Sequence, residues 1–309
     1  MGLRIAGEAP AEDRHPADLE RWLEAVRLHA KWLDRVEDGM PAVLTGLELG
    51  NVQAPRVRLS TAAFRAVSMP GAELKGAELD NCSFEECDLS VANLSSADLS
   101  RSRWLSARLS DASLSAANLN DTEMQGVGLQ QAKAPGSRWM QSRLLHSDFS
   151  QAVLRGGAFQ HATLLECVFH GSELDLALFY RATLQFCRFR QCYAAEANFS
   201  SGRLRNCEFR GCDLRGARFA QADLSGSAFL ECTLSDCDFR GAQLKGCRFL
   251  GSKLAGARLQ DAQCFGADFR GADFTQARGL LPRQMVQAMT DNTTILPNGN
   301  RGPAMRGGY

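Results

Sequence analysis

The sequence predicts an all-β solenoid, and three observations lead there. From Leu44 to Phe274 every fifth residue is apolar, through 47 consecutive repeats. Two residues before each of these centres stands a small or slim side chain, as at Ala72, Ala77, Cys82, Cys87, Ala92 and Ala97, with Leu47 the bulky exception. The other three positions are mostly Ser, Asp, Glu, Arg, Gln and Gly. On an α-helix a step of five residues rotates by about 140°, so the centres would spiral around the cylinder without a core face. In a straight strand successive centres would point to opposite sides. The chain must therefore turn once per repeat, with the centre and the residue two before it facing inward.

A second rhythm sets the size of a coil. From Phe149 to Leu254 the centres alternate Phe and Leu, interrupted in type by Ala194. An even number of repeats per coil keeps each stacked column uniform, and two repeats leave no room for a core, so four should close one coil. Residues twenty apart then stack: Arg218, Asp238 and Arg258 share an outer column, as do Arg188 and Glu208. Opposite charges would alternate along such columns roughly 4.8 Å apart. At this spacing the repeats make about 12 coils and a rod on the order of 55 Å long.

The segments Ala97-Asp98-Leu99-Ser100, Ala117-Asn118-Leu119-Asn120, Ala222-Asp223-Leu224-Ser225-Gly226 and Ala267-Asp268-Phe269-Arg270-Gly271 carry a resemblance. Their pattern resembles the pentapeptide-repeat family, which implies a right-handed quadrilateral parallel β-helix with one repeat per face. The family shares its solenoid and differs in partners, so the resemblance implies little about function.

Three segments are expected. Residues 1–39 form an N-terminal segment whose apolar residues Leu19, Trp22, Leu23, Val26, Ala30 and Leu33 recur at helical spacing. Pro16 opens this helix over 17–37 and Gly39 lies just past its end. Its apolar face should cover the first coil, since a bare solenoid exposes its core and unpaired edges. Residues 40–278 form the β-helix. Bulk sits in the column of Phe64, Phe84, Trp104 and Met124 in the first coils, and from Trp139 onward Phe occupies two opposite columns. Between them, Ala134, Pro135 and Gly136 thin the core and remove an amide donor, which predicts either a weak joining coil or drift within one uniform rod. Residues 279–309 close the fold: Ala277-Arg278-Gly279-Leu280-Leu281-Pro282 and a short helix from Gln284 to Met289 are similar to the family's closing segment, and the tail from Asn298 should be loose.

Charge excludes whole classes of partner. With 35 basic and 35 acidic residues the net charge is zero, so no global field favours direct nucleic-acid or membrane binding. No run approaches about 18 apolar residues. The start Met1-Gly2-Leu3-Arg4-Ile5-Ala6 lacks a signal-peptide core, and Ala6 stands where a myristoylation pattern has Ser or Thr. A cytoplasmic protein is expected. The 11 cysteines fit reduced thiols better than disulfides. Ten of them occupy the small inward position and Cys264 is itself a centre, so they read as core fillers rather than metal ligands. No CxxC spacing exists and His15, His29, His146, His161 and His170 are scattered, so neither metal nor cofactor is expected. Nucleophile elbows, phosphate loops and dinucleotide fingerprints are also missing, which points away from an enzyme.

Two surfaces stand out as candidates for binding. Glu73, Glu78, Asp80, Glu85, Glu86 and Asp88 make an acidic stretch against Lys75 alone. Leu176, Leu178, Tyr180 and Tyr193 are apolar at outward positions on neighbouring faces of adjacent coils, with Arg188, Arg190 and Arg210 flanking them. The reading that follows is a non-enzymatic bacterial scaffold or accessory factor whose partner is another protein, with a second copy possible through an end cap. The chief alternative comes from the resemblance: some pentapeptide-repeat proteins mimic DNA and shield DNA gyrase from inhibitors by a strongly acidic face. Here residues 40–279 carry 26 basic and 25 acidic side chains, a departure from that pattern. A secretion-system effector or adaptor is a further alternative.

Overall fold

The repeats form parallel strands because each short extended segment is followed by a corner, and coils stack in a register of twenty. The computed structural model describes residues 16–302, which fold as a parallel β-solenoid with a helix before and a helix after the repeats. The chain divides into two units, residues 1–153 and 154–309.

In the first unit, α1 spans Pro16–Leu33 and buries Trp22 and His29. It ends four residues earlier than the spacing predicts, because the chain turns away through Arg35 and Asp38, both at left-handed φ (55° and 64°). Gly39 then approaches so closely that a Cβ there would collide with the backbone of Trp32. Strands β1 to β6 follow at Val43–Thr45, Ala63–Arg65, Ser83–Glu85, Arg103–Leu105, Glu123–Gln125 and Arg143–Leu145. Leu44 pairs with Phe64, Phe64 with Phe84 and Phe84 with Trp104, so one coil is four repeats. We number the faces from these strands: the first holds Leu44 and its column, and the second, third and fourth hold the columns of Leu49, Ala54 and Leu59. On the other faces the bridges Glu48↔Ser68, Gln53↔Glu73 and Arg58↔Glu78 keep the same register.

The amide of each centre donates forward, as from Leu49 to the Ser68 carbonyl (2.6 Å), and the residue before it donates back, as from Glu73 to Val52 (2.8 Å). Each backbone polar group that faces a neighbouring coil is thereby used. Inside, Phe64, Phe84 and Trp104 stack at 4.7 and 3.9 Å. The indole N–H of Trp104 donates to Ser102 Oγ and that of Trp139 to Ser137 Oγ, both at 2.7 Å. A serine at the small inward position thus satisfies the polar edge of a buried indole.

The weak coil expected around Pro135 keeps its ladder. Lys133 donates to Ala112 (2.8 Å), Ala134 to Val153 (2.8 Å), and the Pro135 carbonyl accepts from Ala116 (3.0 Å). Proline costs nothing here because its position supplies no amide to the next coil: Ser95, in the same column, gives its N–H to Asn93 Oδ1 (3.1 Å).

The second unit has strands on two faces. On the first face lie β7 (Thr163–Leu165), β9 (Thr183–Gln185) and β11 (Arg203–Arg205); on the second lie β8 (Val168–His170), β10 (Arg188–Arg190), β12 (Glu208–Arg210) and β13 (Ala228–Leu230). Phe169, Phe189, Phe209, Phe229 and Phe249 stack on the second face at 4.6–5.0 Å. Phe159, Phe179, Phe199, Phe219 and Phe239 do so on the fourth at 4.7–5.0 Å. The two stacks meet edge to face across the core, for example Phe199 and Phe209 at 6.0 Å.

The closing helix α2 is Pro282–Val286, shorter than the expected stretch to Met289. Beyond it the chain turns through Gln287 and Ala288, and Met289 donates to Ala267 (2.7 Å), continuing the ladder. Buried Gln284 gives both side-chain N–H bonds to the last coil, at Leu259 (3.0 Å) and Ala262 (2.9 Å). The described part of the tail is hydrogen-bonded back on itself. Leu296 donates to Asn300 (2.8 Å) around Gly299, whose φ of 84° makes the turn possible, and Ile295 pairs antiparallel with Arg301. Residues 303–309 of that tail lie outside the described residues.

Candidate interaction surface

The residue before a centre is often Asp or Asn, and its side chain accepts the amide two residues on. Asp88 takes Ser90 N–H (2.9 Å), Asp148 takes Ser150 N–H (2.9 Å) and Asp273 takes Thr275 N–H (2.9 Å). This local bond redirects the charge pairing expected from the columns. Asp238 does bridge Arg218 and Arg258 through the backbone, but its carboxylate holds Arg240 (2.6 Å). Likewise Glu208 lies beside Arg188 and pairs with Arg190 (3.0 Å). The Arg270 guanidinium on Asp268 (2.7 Å) holds that carboxyl below the usual carboxylate range, outweighing its partial burial.

The acidic residues of the first unit are close in sequence and spread in space. Glu73 is on the third face, Glu78 and Asp80 on the fourth, Glu85 on the first, Glu86 at the following corner and Asp88 on the second. Most are also engaged. Glu73 accepts from Asn93 (2.9 Å), Glu78 faces Arg58 (3.6 Å), Asp80 holds Arg101 (3.2 Å), Glu85 faces Arg65 (3.5 Å) and Asp88 holds Arg108 (2.6 Å). Among the described residues Glu86 has no ion pair. The first face of this unit also carries a shallow trough of about 640 Å³ over Ala63 and Ser83, edged by Arg65, Glu85, Arg103 and Leu105.

In the second unit the apolar set divides. Tyr193 lies on the third face, paired in register with Glu173, and Leu176 sits at the next corner; they are 57% and 52% exposed. Leu178 and Tyr180 lie on the fourth face and are half-buried. The Tyr180 ring is flanked by His161 edge-on (6.4 Å) and by the Arg181 guanidinium (5.1 Å). Arg188, Arg190 and Arg210 are all on the second face, across the core from Leu178 and Tyr180, so they do not flank that pair as the sequence reading had it. Five residues advance the chain by one face, which carries sequence neighbours around the coil.

Sequence reasoning passed over Phe186. It occupies the corner between β9 and β10 at φ 55° and is 51% exposed. Its column continues to Asn206 and Gly226, residue types suited to left-handed backbone. Three bulky apolar residues, Val91, Leu176 and Phe186, stand at corners where φ is positive.

The thiols are core. All 11 cysteines are free and buried. Cys167, Cys187 and Cys207 share one column, and Cys192, Cys212 and Cys232 another. Cys187, Cys192, Cys207, Cys212 and Cys232 also donate to the preceding coil, as Cys212 does to the Phe189 carbonyl (3.2 Å) and Cys232 to Phe209 (3.3 Å). Ser252 makes the equivalent bond to Phe229 (2.9 Å), so thiol and hydroxyl are interchangeable donors there. Burial pushes the Cys82 and Cys264 thiols up to about 12. Labelling of Cys187, Cys207 and Cys212 with a maleimide should be slow in the native protein and fast in denaturant. Rapid native labelling would show that these coils open. Among the described residues no cluster of His, Cys, Asp and Glu is placed to hold a metal ion, and no helix is long and apolar enough to cross a membrane.

The chain is similar to HetL, a pentapeptide repeat protein involved in heterocyst differentiation regulation from the cyanobacterium Nostoc, at 22% identity over 88% of this chain and 97% of that one, TM-score 0.36. It is similar to Rfr23 from the cyanobacterium Cyanothece at 25% identity over 30% and 62% of the two chains, TM-score 0.26. It also resembles QnrB1, a plasmid-mediated fluoroquinolone resistance protein, at 20% identity over 55% and 91%, TM-score 0.25. No curated protein matches it. The family described as Pentapeptide repeat region matches residues 57–134 and 142–219, and that described as Pentapeptide repeats (8 copies) matches 212–251 and 237–276. With the five-residue period, the twenty-residue coil and these matches over more than half of its length, the chain belongs to the pentapeptide-repeat family.

Proposed function

We propose that the chain is a non-enzymatic interaction scaffold or accessory factor whose partner is another protein. The observation that carries this reading is the exposure of Tyr193 and Leu176 close together on the third face and its following corner in the second unit. Exposed aromatic residues on a rigid backbone incur little ordering cost on binding. The paired carboxylates on convex faces and the buried thiols support a role without chemistry of its own. Eleven free thiols also support a reducing, cytoplasmic compartment.

The test is capture with the tagged full chain, identification of what binds, and titration of that protein. Changing Tyr180 and Tyr193 together to Ser should leave melting unchanged and weaken binding by about 2 kcal/mol, most of it from Tyr193, which is the more exposed. Full retained affinity would move the contact elsewhere. The DNA-mimic alternative has less support, since a mimic needs free carboxylates and Glu85 and Asp88 face Arg65 and Arg108. A gyrase supercoiling assay with charge reversal at Glu85, Glu86 and Asp88 tests it.

A further inference from the structure

We infer that Phe186, Arg188 and Arg203 form a docking site for an acidic segment of a partner protein, one that carries an apolar residue between its carboxylates. This rests on the interaction-scaffold reading and names a surface and a chemistry for it.

The aromatic ring sits where the backbone disfavours it. At φ 55° a bulky side chain is disfavoured, and at 51% exposure it buries little in return. Asn206 and Gly226, the next residues in its column, are what the corner prefers. The strands on both sides of the corner carry five arginines, and the structure separates them into two kinds. Arg190 holds Glu208 (3.0 Å), Arg205 holds Asp223 (2.5 Å) and Arg210 faces Glu231 (3.5 Å). Arg188 and Arg203 make no ion pair and no side-chain hydrogen bond among the described residues. Arg188 stands on the second face in β10 and Arg203 on the first face in β11, so the two free guanidiniums lie on opposite sides of the Phe186 corner.

Charge complementarity selects the occupant. Two uncommitted guanidiniums around an exposed ring suit two carboxylates separated by an apolar side chain. A nucleic-acid strand fits less well. Glu208 stacks directly on Arg188 and Asp223 on Arg203, so a continuous run of phosphates following either column would meet a carboxylate one coil further on. Both columns belong to strands held in parallel register, so the site is formed before the partner arrives.

The experiment is selection from a random peptide display library on the full-length protein, followed by titration of the consensus peptide. The expected consensus has Asp or Glu on both sides of an aromatic or aliphatic residue. Its affinity should fall at least tenfold in Phe186→Ala and in Arg188→Glu/Arg203→Glu, and it should weaken with salt. Phe186→Gly, which relieves the corner, should melt no lower than the wild type and bind as poorly as Phe186→Ala, which separates loss of the ring from loss of fold. A selection without an acidic–apolar consensus overturns the proposal, as does a consensus peptide that binds these variants like the wild type. So does a single-stranded oligonucleotide that binds through the same arginines and is not displaced by the peptide. A captured partner that binds all three variants at wild-type affinity sinks the docking site and leaves the scaffold reading standing. A peptide consensus with no captured protein partner sinks the scaffold reading, and with it the assignment of the site to a partner protein.

Discussion

Phe209→Asp is expected to unfold the coils of the second unit that surround it. The Phe209 ring is buried, stacked on Phe189 (4.6 Å) and Phe229 (4.9 Å), and meets Phe199 (6.0 Å) and Phe219 (6.2 Å) edge to face. Losing a buried phenylalanine costs about 3–5 kcal/mol. An aspartate there adds a carboxylate with no guanidinium or amide left to take it, since every neighbouring backbone group is already bonded into the ladder. Phe209→Leu is the control. In the second unit leucine occupies most centres of the first and third faces, so a leucine at a centre is compatible with the coil and the exchange should cost on the order of 1 kcal/mol. Denaturant unfolding followed by β-structure circular dichroism reads both. If the aspartate variant unfolds at the wild-type midpoint, the aromatic columns do not carry the core.

Those columns were legible in the sequence because the period that builds them is local. A centre every five residues and a Phe–Leu alternation are enough to force an even-numbered coil, and the register Phe189↔Phe209 is the result. The corners were less legible. A left-handed corner residue advertises itself when it is Gly or Asn, and the sequence shows the outward positions as a mostly polar set with Leu176, Leu178, Tyr180 and Tyr193 as apolar exceptions. Phe186 breaks that set at a position where its backbone is disfavoured, and only the φ value separates it from an ordinary surface residue.

Patches were the hardest to read, for a geometric reason. A solenoid surface is built from residues twenty apart, while the eye groups residues that adjoin in sequence. Glu73 to Asp88 is a cluster on paper and a ring around one coil in space. Arg188 and Tyr180, eight apart, sit on opposite faces. Ion pairing was hidden by a second effect. Asp238 was expected to pair along its column with Arg218 or Arg258, yet the carboxylate is first oriented by the amide of Arg240 (3.1 Å), and that bond brings the Arg240 side chain onto it. The choice depends on a hydrogen bond two residues away, which no column diagram contains.

His29 carries the second large effect, on the attachment of α1. Its Nδ1 accepts the Ala42 N–H (2.9 Å), so its Nε2 bears the proton and donates to the Ser60 carbonyl (3.0 Å). One buried imidazole thus joins the helix to the start and the end of the first coil, with Trp32 packed on its ring at 5.2 Å. His29→Ala strands both backbone groups, at about 1–3 kcal/mol for each. Protonation should mimic the mutation, because it turns the acceptor facing Ala42 into a second donor. Burial holds the His29 pKa below the ordinary value of about 6.5; the hydrogen bond to Ser60 opposes this shift and the charge of Arg58 adds to it. For a pKa lowered by folding, the stabilisation is fully present above the unfolded value and is lost as pH falls through the folded one. Protection of the α1 amides, taken as the exchange rate relative to the intrinsic rate at the same pH, should therefore be high at pH 8 and lower by pH 5 in the wild type, and low throughout in His29→Ala. The β-strands of the first unit should stay protected in both. Protection of α1 that is no lower at pH 5 than at pH 8, or that survives in His29→Ala, would refute the link.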